Sequence, residues 1–302
     1  MRVLITGGTG LIGQALIKVL LQEEYKVVLL TRDKDKPKHS FAAPFPRFDS
    51  IVENLDQVDF NKIDAVINLA GEPIVNKRWT AKQKLKLCNS RWQLTSVLAS
   101  KILAAETPPA VFISGSAIGV YGRQGANHID ESYQEFYPEF SSKLCREWEE
   151  LALKAQTAKT RVCVLRTGIV LDQHGGALAK MLPAFRLGLG GPIASGQQGM
   201  SWIHIQDMVN LIVFLLKSSD LQGAFNATAP EAVSNKVFSQ TLAKQLNRPC
   251  IFWVPAFVLK LAMGEMSELL ICGQYVYPKR LLDAGFQFRY KQLNAALKQV
   301  IS

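Results

Sequence analysis

Three glycines near the start of the chain leave it few folds to choose from. Gly7, Gly10 and Gly13 are spaced G-x-x-G-x-x-G. A short β-rich run, Arg2 to Thr6, precedes them, and in Gln14 to Gln22 apolar residues recur at helical spacing. A strand turning so sharply into a helix needs one residue without a Cβ at the turn. It needs a second where backbone approaches a ligand and a third where the helix presses on the sheet. Thr9, Gly10, Leu11, Ile12 and Gly13 open that helix, whose N–H groups and dipole suit phosphate. A glycine triplet alone is weak evidence. Inside a strand–turn–helix it reads as the pyrophosphate site of a dinucleotide.

The rest of the first half continues the alternation. Tyr25 to Thr31, Ala65 to Ala70, Ala110 to Ser114 and Val162 to Arg166 read as strands, and residues 80–105 and 140–155 as helices. Continuous apolar runs in the strands indicate a parallel sheet buried on both faces. The fold class is therefore α/β, a doubly wound parallel Rossmann sheet. Residues 33–48, charged and proline-bearing, read as a loop. Past about residue 175 the rhythm loosens. Gly188 to Gly199 reads as a mobile loop. Asp207 to Lys217 reads as a helix, as does Val237 to Leu246 with Ser234 and Asn235 as caps. Leu293 to Val300 is an amphipathic helix. The expected organisation is a nucleotide-binding domain over 1–175 and a smaller C-terminal α/β lobe over 176–302. Segments around 200–230 are expected to return to the first domain.

The end of the second strand discriminates between cofactors. An acidic residue there would bond a ribose 2′-hydroxyl, but this chain has Thr31 and Arg32, then Lys34 and Lys36. A guanidinium suits a 2′-phosphate by charge and fork geometry, so NADP(H) is expected over NAD. The net charge of +10 is spread along the chain without a nucleic-acid recognition module, so no nucleic-acid partner is expected. A positive field around a phosphate-bearing small molecule accounts for it. No apolar run reaches the roughly 18–20 residues that span a bilayer. The most apolar stretch, Ile251 to Met263, is broken by Pro255 and Lys260. No membrane partner is expected, and the first residues do not read as a signal peptide. Five scattered cysteines without a C-x-x-C pair read as free thiols in a reducing compartment, the cytoplasm, with no metal site. Cys145 is the one nearest the candidate chemistry, and packing is its plainer role.

With the glycine loop placed, almost the whole chain resembles the extended short-chain dehydrogenase/reductase superfamily. The narrower resemblance is to its epimerase-family branch, whose members are described as nucleoside-diphosphate-sugar epimerases. It rests on Thr6 to Gly13, Asn68 to Ile74, Ser90-Arg91, Ser114 to Ala117 with Val120-Tyr121-Gly122, Leu165 to Gly168, and Ser201 to Asp207. Pro278 to Leu282 with Gly285-Phe286 resembles a short uncharacterised domain appended to that branch. The resemblance implies roles. Leu69, Ala70 and Gly71 would lie beside adenosine and ribose. Ser116 would be the catalytic serine, Arg166 would line the nicotinamide side, and His204 and Asp207 would close the site from the second lobe. A bonded core histidine and a helix-capping aspartate are equally good readings of the last pair. A small-molecule substrate, a sugar nucleotide by resemblance, and a homodimer are also implied.

The pattern breaks at one place. Superfamily enzymes that move a hydride use a Tyr-x-x-x-Lys pair, whose phenol carries the accompanying proton. The equivalent segment here is Glu139-Phe140-Ser141-Ser142-Lys143. Lys143 remains, to bind the nicotinamide ribose, and Glu139 replaces the tyrosine. Three readings stay open. Glu139 is the acid/base, or Tyr121 or Tyr137 reaches in as a substitute donor. Or the protein binds NADP without turnover, as a regulator of the kind described as cell-division inhibitors in the same branch. The Tyr275/Lys279 spacing in the tail reads as a chance match.

Overall fold

The computed structural model describes residues 1–35, 37, 40, 41 and 47–302. Lys36, expected near the 2′-phosphate, lies outside the described residues.

Seven parallel strands form the central sheet. They are β1 (Arg2–Thr6), β2 (Lys26–Leu30), β3 (Ser50–Val52), β4 (Ala65–Asn68), β5 (Val111–Ala117), β7 (Arg161–Thr167) and β11 (Gly223–Ala227). Their order is β11-β7-β5-β4-β1-β2-β3. The sequence missed β3, whose three residues are too few to carry a pattern. The chain leaves β1 to one side for β2 and to the other for β4. The crevice outside the carboxyl ends of β1 and β4 is thus a topological switch point, where open α/β sheets bind ligands. Both faces of the sheet are apolar. On one face α1 (Leu11–Gln22) and α5 (Ile205–Lys217) pack Leu16, Leu20, Ile212 and Leu215 against Val3, Ile5 and Ile67. On the other, α2 (Ala81–Ala104) and α3 (Phe140–Leu153) pack Leu98, Ile102 and Ala152 against Val66, Phe112 and Val162. Phe41 is buried in the first of these cores and meets Phe48 edge-on; much of the loop expected over 33–48 lies outside the described residues.

The remaining chain builds a separate core around Trp202, Phe238, Phe185 and Leu297. It contains α4 (Gly176–Arg186), α6 (Asn235–Gln245) and α10 (Leu293–Ile301). The short pairs β8 (Ile169–Leu171) with β10 (Trp202–His204) and β9 (Gly199–Met200) with β12 (Val233–Ser234) complete it, and β6 (His128–Ile129) pairs with β13 (Tyr275–Val276) just ahead of α9 (Lys279–Asp283). Ser234 caps α6, accepting from Val237 N–H at 3.2 Å. Asn235 instead accepts from Ile193 N–H at 2.7 Å. Gln198 donates to Ile193 O and Leu270 O, so the glycine-rich stretch expected to be mobile is tied down by buried amides.

The chain enters α5 differently from expectation. The helix begins at Ile205, and its cap is His204, whose Nδ1 accepts from Gln206 N–H at 3.1 Å. Asp207 lies inside the first turn and accepts the backbone N–H groups of Arg289 and Tyr290 at 2.8 and 2.9 Å. The His204 ring meets Gln299 Oε1 through Nε2 at 2.6 Å and lies against Tyr290. Both side chains therefore clamp the C-terminal tail to the sheet. Among the described residues no helix is long and apolar enough to cross a membrane.

Candidate functional site

The glycine loop is built as close backbone packing demands. Gly7 has φ +71°, and a Cβ there would stand 2.5 Å from the carbonyl carbon of Leu69. A Cβ on Gly13 would stand 2.4 Å from Gly7 O and 2.6 Å from Gly8 Cα. Gly10 N–H donates to Gly7 O at 2.9 Å, closing the turn. The following helix has Gly10 as its N-cap, no side-chain cap and no acidic residue in its first turn. Its leading N–H groups lack intrahelical acceptors, so they and the dipole favour an anion.

A cleft of 1040 Å³ opens above this turn. Gly7, Thr9 and Gly10 form its floor, Leu69, Ala70 and Gly71 one wall, and Thr31 and Arg32 its far end. Thr31 Oγ1 donates to Asp33 O at 3.0 Å and fixes the turn that presents the exposed Arg32. From Arg32 a second groove of 780 Å³ runs past Lys77, Arg78, Lys82 and Lys86. The residues present therefore fit a dinucleotide phosphorylated at its adenosine end, with pyrophosphate at the helix start and cations beyond.

The sequence missed what holds the Leu69–Gly71 wall. Arg91 Nη2 donates to Glu72 O at 3.0 Å, and Ser90 Oγ accepts from Glu72 N–H at 3.0 Å. The Arg91 guanidinium lies over the Trp148 ring, and burial lowers its pKa from the usual arginine value. Beneath, Thr6 Oγ1 donates to Asn68 Oδ1 at 2.6 Å, and Asn68 Nδ2 donates to Thr95 Oγ1 at 2.9 Å. Residues 53–56, from the unforeseen β3 onward, supply the opposite wall.

The residues expected to do chemistry divide into two groups, and none of them borders the cleft. Ser116, Tyr121 and Arg166 meet in one buried network around Glu149. Ser116 Oγ donates to Glu149 Oε1 at 2.7 Å, and Arg166 Nη2 donates to Glu149 Oε2 at 2.8 Å. Arg166 Nη1 donates to the Tyr121 oxygen at 3.0 Å, and the phenol donates to Asn226 Oδ1 at 2.8 Å. Burial works against the charge on Arg166, but hydrogen bonds and charge from Glu149 outweigh it and hold the pKa above the usual value. Burial pushes the Tyr121 pKa up, with Arg166 opposing. Tyr121, one of the expected substitute donors, is fully buried with its hydroxyl held between Arg166 and Asn226. Arg166, expected beside the nicotinamide, spends its fork on Glu149 and lies under the site.

Glu139 and Lys143 sit at the start of α3. Glu139 precedes the first turn, accepting from Arg123 Nε at 3.2 Å and from Ser141 Oγ at 2.9 Å. Lys143 is exposed on that turn. Arg123 also pairs with Glu268 at 3.0 Å and lies over the ring of Tyr137, which is half in solvent. Burial pushes the Cys145 thiol up to about 12, which leaves it a packing residue. Tyr275 donates to Gln197 O and Lys279 pairs with Asp283, so their spacing carries no joint site. Glu149, the centre of the buried network, was missed outright by the sequence reading. One signal was available: it lies four residues after Cys145 and three before Ala152, on the apolar stripe of α3, where a carboxylate needs a buried partner.

A strap from the tail closes over this end. α7 (Ala256–Met263) and α8 (Glu268–Ile271) follow one another, and Met263, Met266 and Leu269 pack on Trp79, Phe140 and Leu87. Glu265 pairs with Lys84. Among the described residues no group of three or more His, Cys, Asp or Glu side chains could hold a metal ion.

Comparison with known proteins fits this geometry. Residues 3–228 match the model of the NAD dependent epimerase/dehydratase family, and residues 254–300 match a domain of unknown function, DUF1731. The chain is 38% identical to the chloroplastic epimerase family protein SDR39U1 homolog of Arabidopsis thaliana, covering all of this chain and 87% of that one. It is 36% identical to epimerase family protein SDR39U1 of Bos taurus over the full length of both. The crystal structure of human epimerase family protein SDR39U1 (isoform 2) with NADPH superposes with a TM-score of 0.90 at 34% identity, covering 99% of each chain. A glycine cradle at the switch point of a parallel sheet and this run of similarity have one explanation: the chain belongs to the NAD dependent epimerase/dehydratase family.

Proposed function

We propose that the protein binds NADP(H) and carries out redox chemistry at a hydroxyl-bearing or carbonyl carbon of a small polar substrate, a sugar nucleotide being the favoured class. The carrying observation is the continuity of the two grooves at Arg32, which sets a pyrophosphate cradle next to a cationic channel. The human relative solved with NADPH supports the same cofactor. When bound, the nicotinamide supplies or accepts the hydride. The chain's own residues do the rest. Backbone N–H groups at Leu11 to Gly13 hold the phosphates, and Arg32 with the groove lysines holds the 2′-phosphate. Ser116 gives its proton to Glu149, which leaves its oxygen as an acceptor for a substrate hydroxyl. Glu139, steered by Arg123, takes the proton that leaves that hydroxyl, and Lys143 holds the cofactor ribose. In this reading residues 1–175 bind the cofactor, 176–302 supply the substrate side, and the cytoplasm supplies the reducing setting that five free thiols need.

A second reading, NADP binding without turnover, draws on one observation. The hydroxyls and charges of Ser116, Tyr121 and Arg166 are used internally. The two separate by experiment. Nicotinamide fluorescence should report micromolar NADPH binding, with NADH at least about tenfold weaker. Single-turnover assays with a panel of sugar nucleotides and NADP+ should then show slow nicotinamide reduction that Glu139→Gln abolishes. Equal binding of NADH and NADPH would sink the cofactor assignment. Tight NADPH binding with no turnover on any substrate would establish the second reading.

A further inference from the structure

The back of the strap carries a surface that the cofactor site does not explain. α7 reads Ala-Phe-Val-Leu-Lys-Leu-Ala-Met and has no buried residue. Phe257 is 71% exposed and Leu261 79%. Just before the helix, Ile251 is 78% exposed and Trp253 60%, and Leu187 from the end of α4 is 74% exposed. A helix with one charged residue in eight and none of the eight buried is unusual in solvent, and an exposed apolar patch of this kind marks an interaction surface.

The segments that carry these side chains adjoin one another. Ala194 N–H donates to Val254 O at 2.9 Å, and Val254 N–H donates to Pro192 O at 3.0 Å. Arg248 Nε donates to Arg186 O at 2.7 Å, and Trp253 Nε1 donates to Ala194 O. The segment ending α4 and the one entering α7 therefore lie side by side, pinned by two backbone bonds and two bonds from side chains to backbone. The face is built before any partner arrives.

Charge selects the partner. No Asp or Glu occurs between Asp172 and Asp207, or between Glu231 and Glu265. The same two segments carry Lys180, Arg186, Lys236, Lys244, Arg248 and Lys260, all exposed. A second copy meeting this patch through a two-fold axis would set like charges together. A surface that is apolar below and anionic above satisfies both halves. We propose that this face docks in the interfacial layer of an anionic lipid bilayer. Phe257, Leu261 and Ile251 enter the acyl boundary, Trp253 lies at headgroup depth and Lys260 snorkels to phosphate. With eight residues, α7 is far too short to span, so the association is peripheral.

The test is co-sedimentation with sonicated vesicles of phosphatidylcholine alone and of phosphatidylcholine mixed with phosphatidylglycerol, at low and high salt. The expected result is pelleting with the mixed vesicles only, weakened by salt, with a blue shift in tryptophan emission that Trp253→Phe removes. Phe257→Ser with Leu261→Ser should cut partition about tenfold or more. NADPH binding should not change, which keeps the variant a control for folding. Failure to pellet with anionic vesicles, or equal partition of the double variant, would overturn the proposal. So would a dimer in solution that buries Trp253 and is broken by the same double variant, because the face would then belong to a second copy.

Discussion

The two ends of the candidate site are built from different materials. The adenosine end is backbone: positive φ at Gly7, no room for a Cβ at Gly13 and the bare start of a helix. The chemical end is side chain, with Ser116, Glu149, Arg166, Tyr121 and Asn226 linked from five elements of the sheet domain. A backbone cradle tolerates almost any neighbour but no Cβ. A buried ionic network tolerates extra atoms at its rim but not the loss of a charge. The ends should therefore fail differently.

The largest effect is expected at Glu149. Glu149→Gln leaves the Arg166 guanidinium buried without its counter-charge, which should cost about 3–5 kcal/mol of stability. Urea unfolding measures this, and NADPH affinity in the folded fraction should stay near wild type. A loss under about 1 kcal/mol would mean that Arg166 is free to turn to the cofactor, and the division between the two ends would collapse.

Gly13→Ala comes next and should do the reverse. Its Cβ meets backbone at 2.4 and 2.6 Å, so the loop must move. Overpacking of this kind costs about 1–3 kcal/mol, and the same displacement should weaken NADPH by tenfold to a hundredfold or so. Unchanged affinity would show that phosphate is held elsewhere. Arg32→Ala is milder, because the side chain is exposed and its charge is screened. About a tenfold loss of NADPH affinity with NADH untouched is expected, measured by fluorescence titration. Equal loss of both cofactors would move Arg32 from the 2′-phosphate to the adenine.

The same contrast explains what could be read in advance. Glycine spacing and apolar runs report local geometry, so β1, α1, the parallel doubly wound class of sheet and the cleft floor were visible in the sequence, whereas the order of strands was not. Arg32 was visible because it follows a recognisable strand. Glu149, Asn226 and Glu131 were not, since each finds its partners across sequence separations of 17 to 149 residues. Glu131 accepts from Asn226 N–H and Arg280 N–H, and its carboxyl pKa is raised by burial, with those bonds opposing. No local pattern announces such a residue. Exposure is equally hidden. Ile251 to Met263 reads as an interrupted apolar stretch whether it is buried or, as found, faces solvent.

The smallest effect sharpens the comparison at the lobe boundary, where His204 clamps the tail on which the chemical end leans. Its Nδ1 must accept from Gln206 N–H while Nε2–H donates to Gln299, an arrangement only the neutral ring can make. Burial lowers its pKa below the ordinary value of 6.5, with Gln299 and Asp207 opposing. The unfolded chain then binds a proton at a pH where the folded chain does not, so stability falls as pH drops through about 6.5 and levels off below the folded value. One such group limits the slope to about 1.4 kcal/mol per pH unit. His204→Asn keeps a capping side chain without a titrating one. It should lower stability overall but flatten the decline between neutral and mildly acidic pH in a series of urea midpoints. NADPH affinity at neutral pH should stay as it was, since the cradle does not touch the clamp. An unaltered slope would assign the acid sensitivity to other groups, and a lost affinity would show that the backbone end leans on the tail as well.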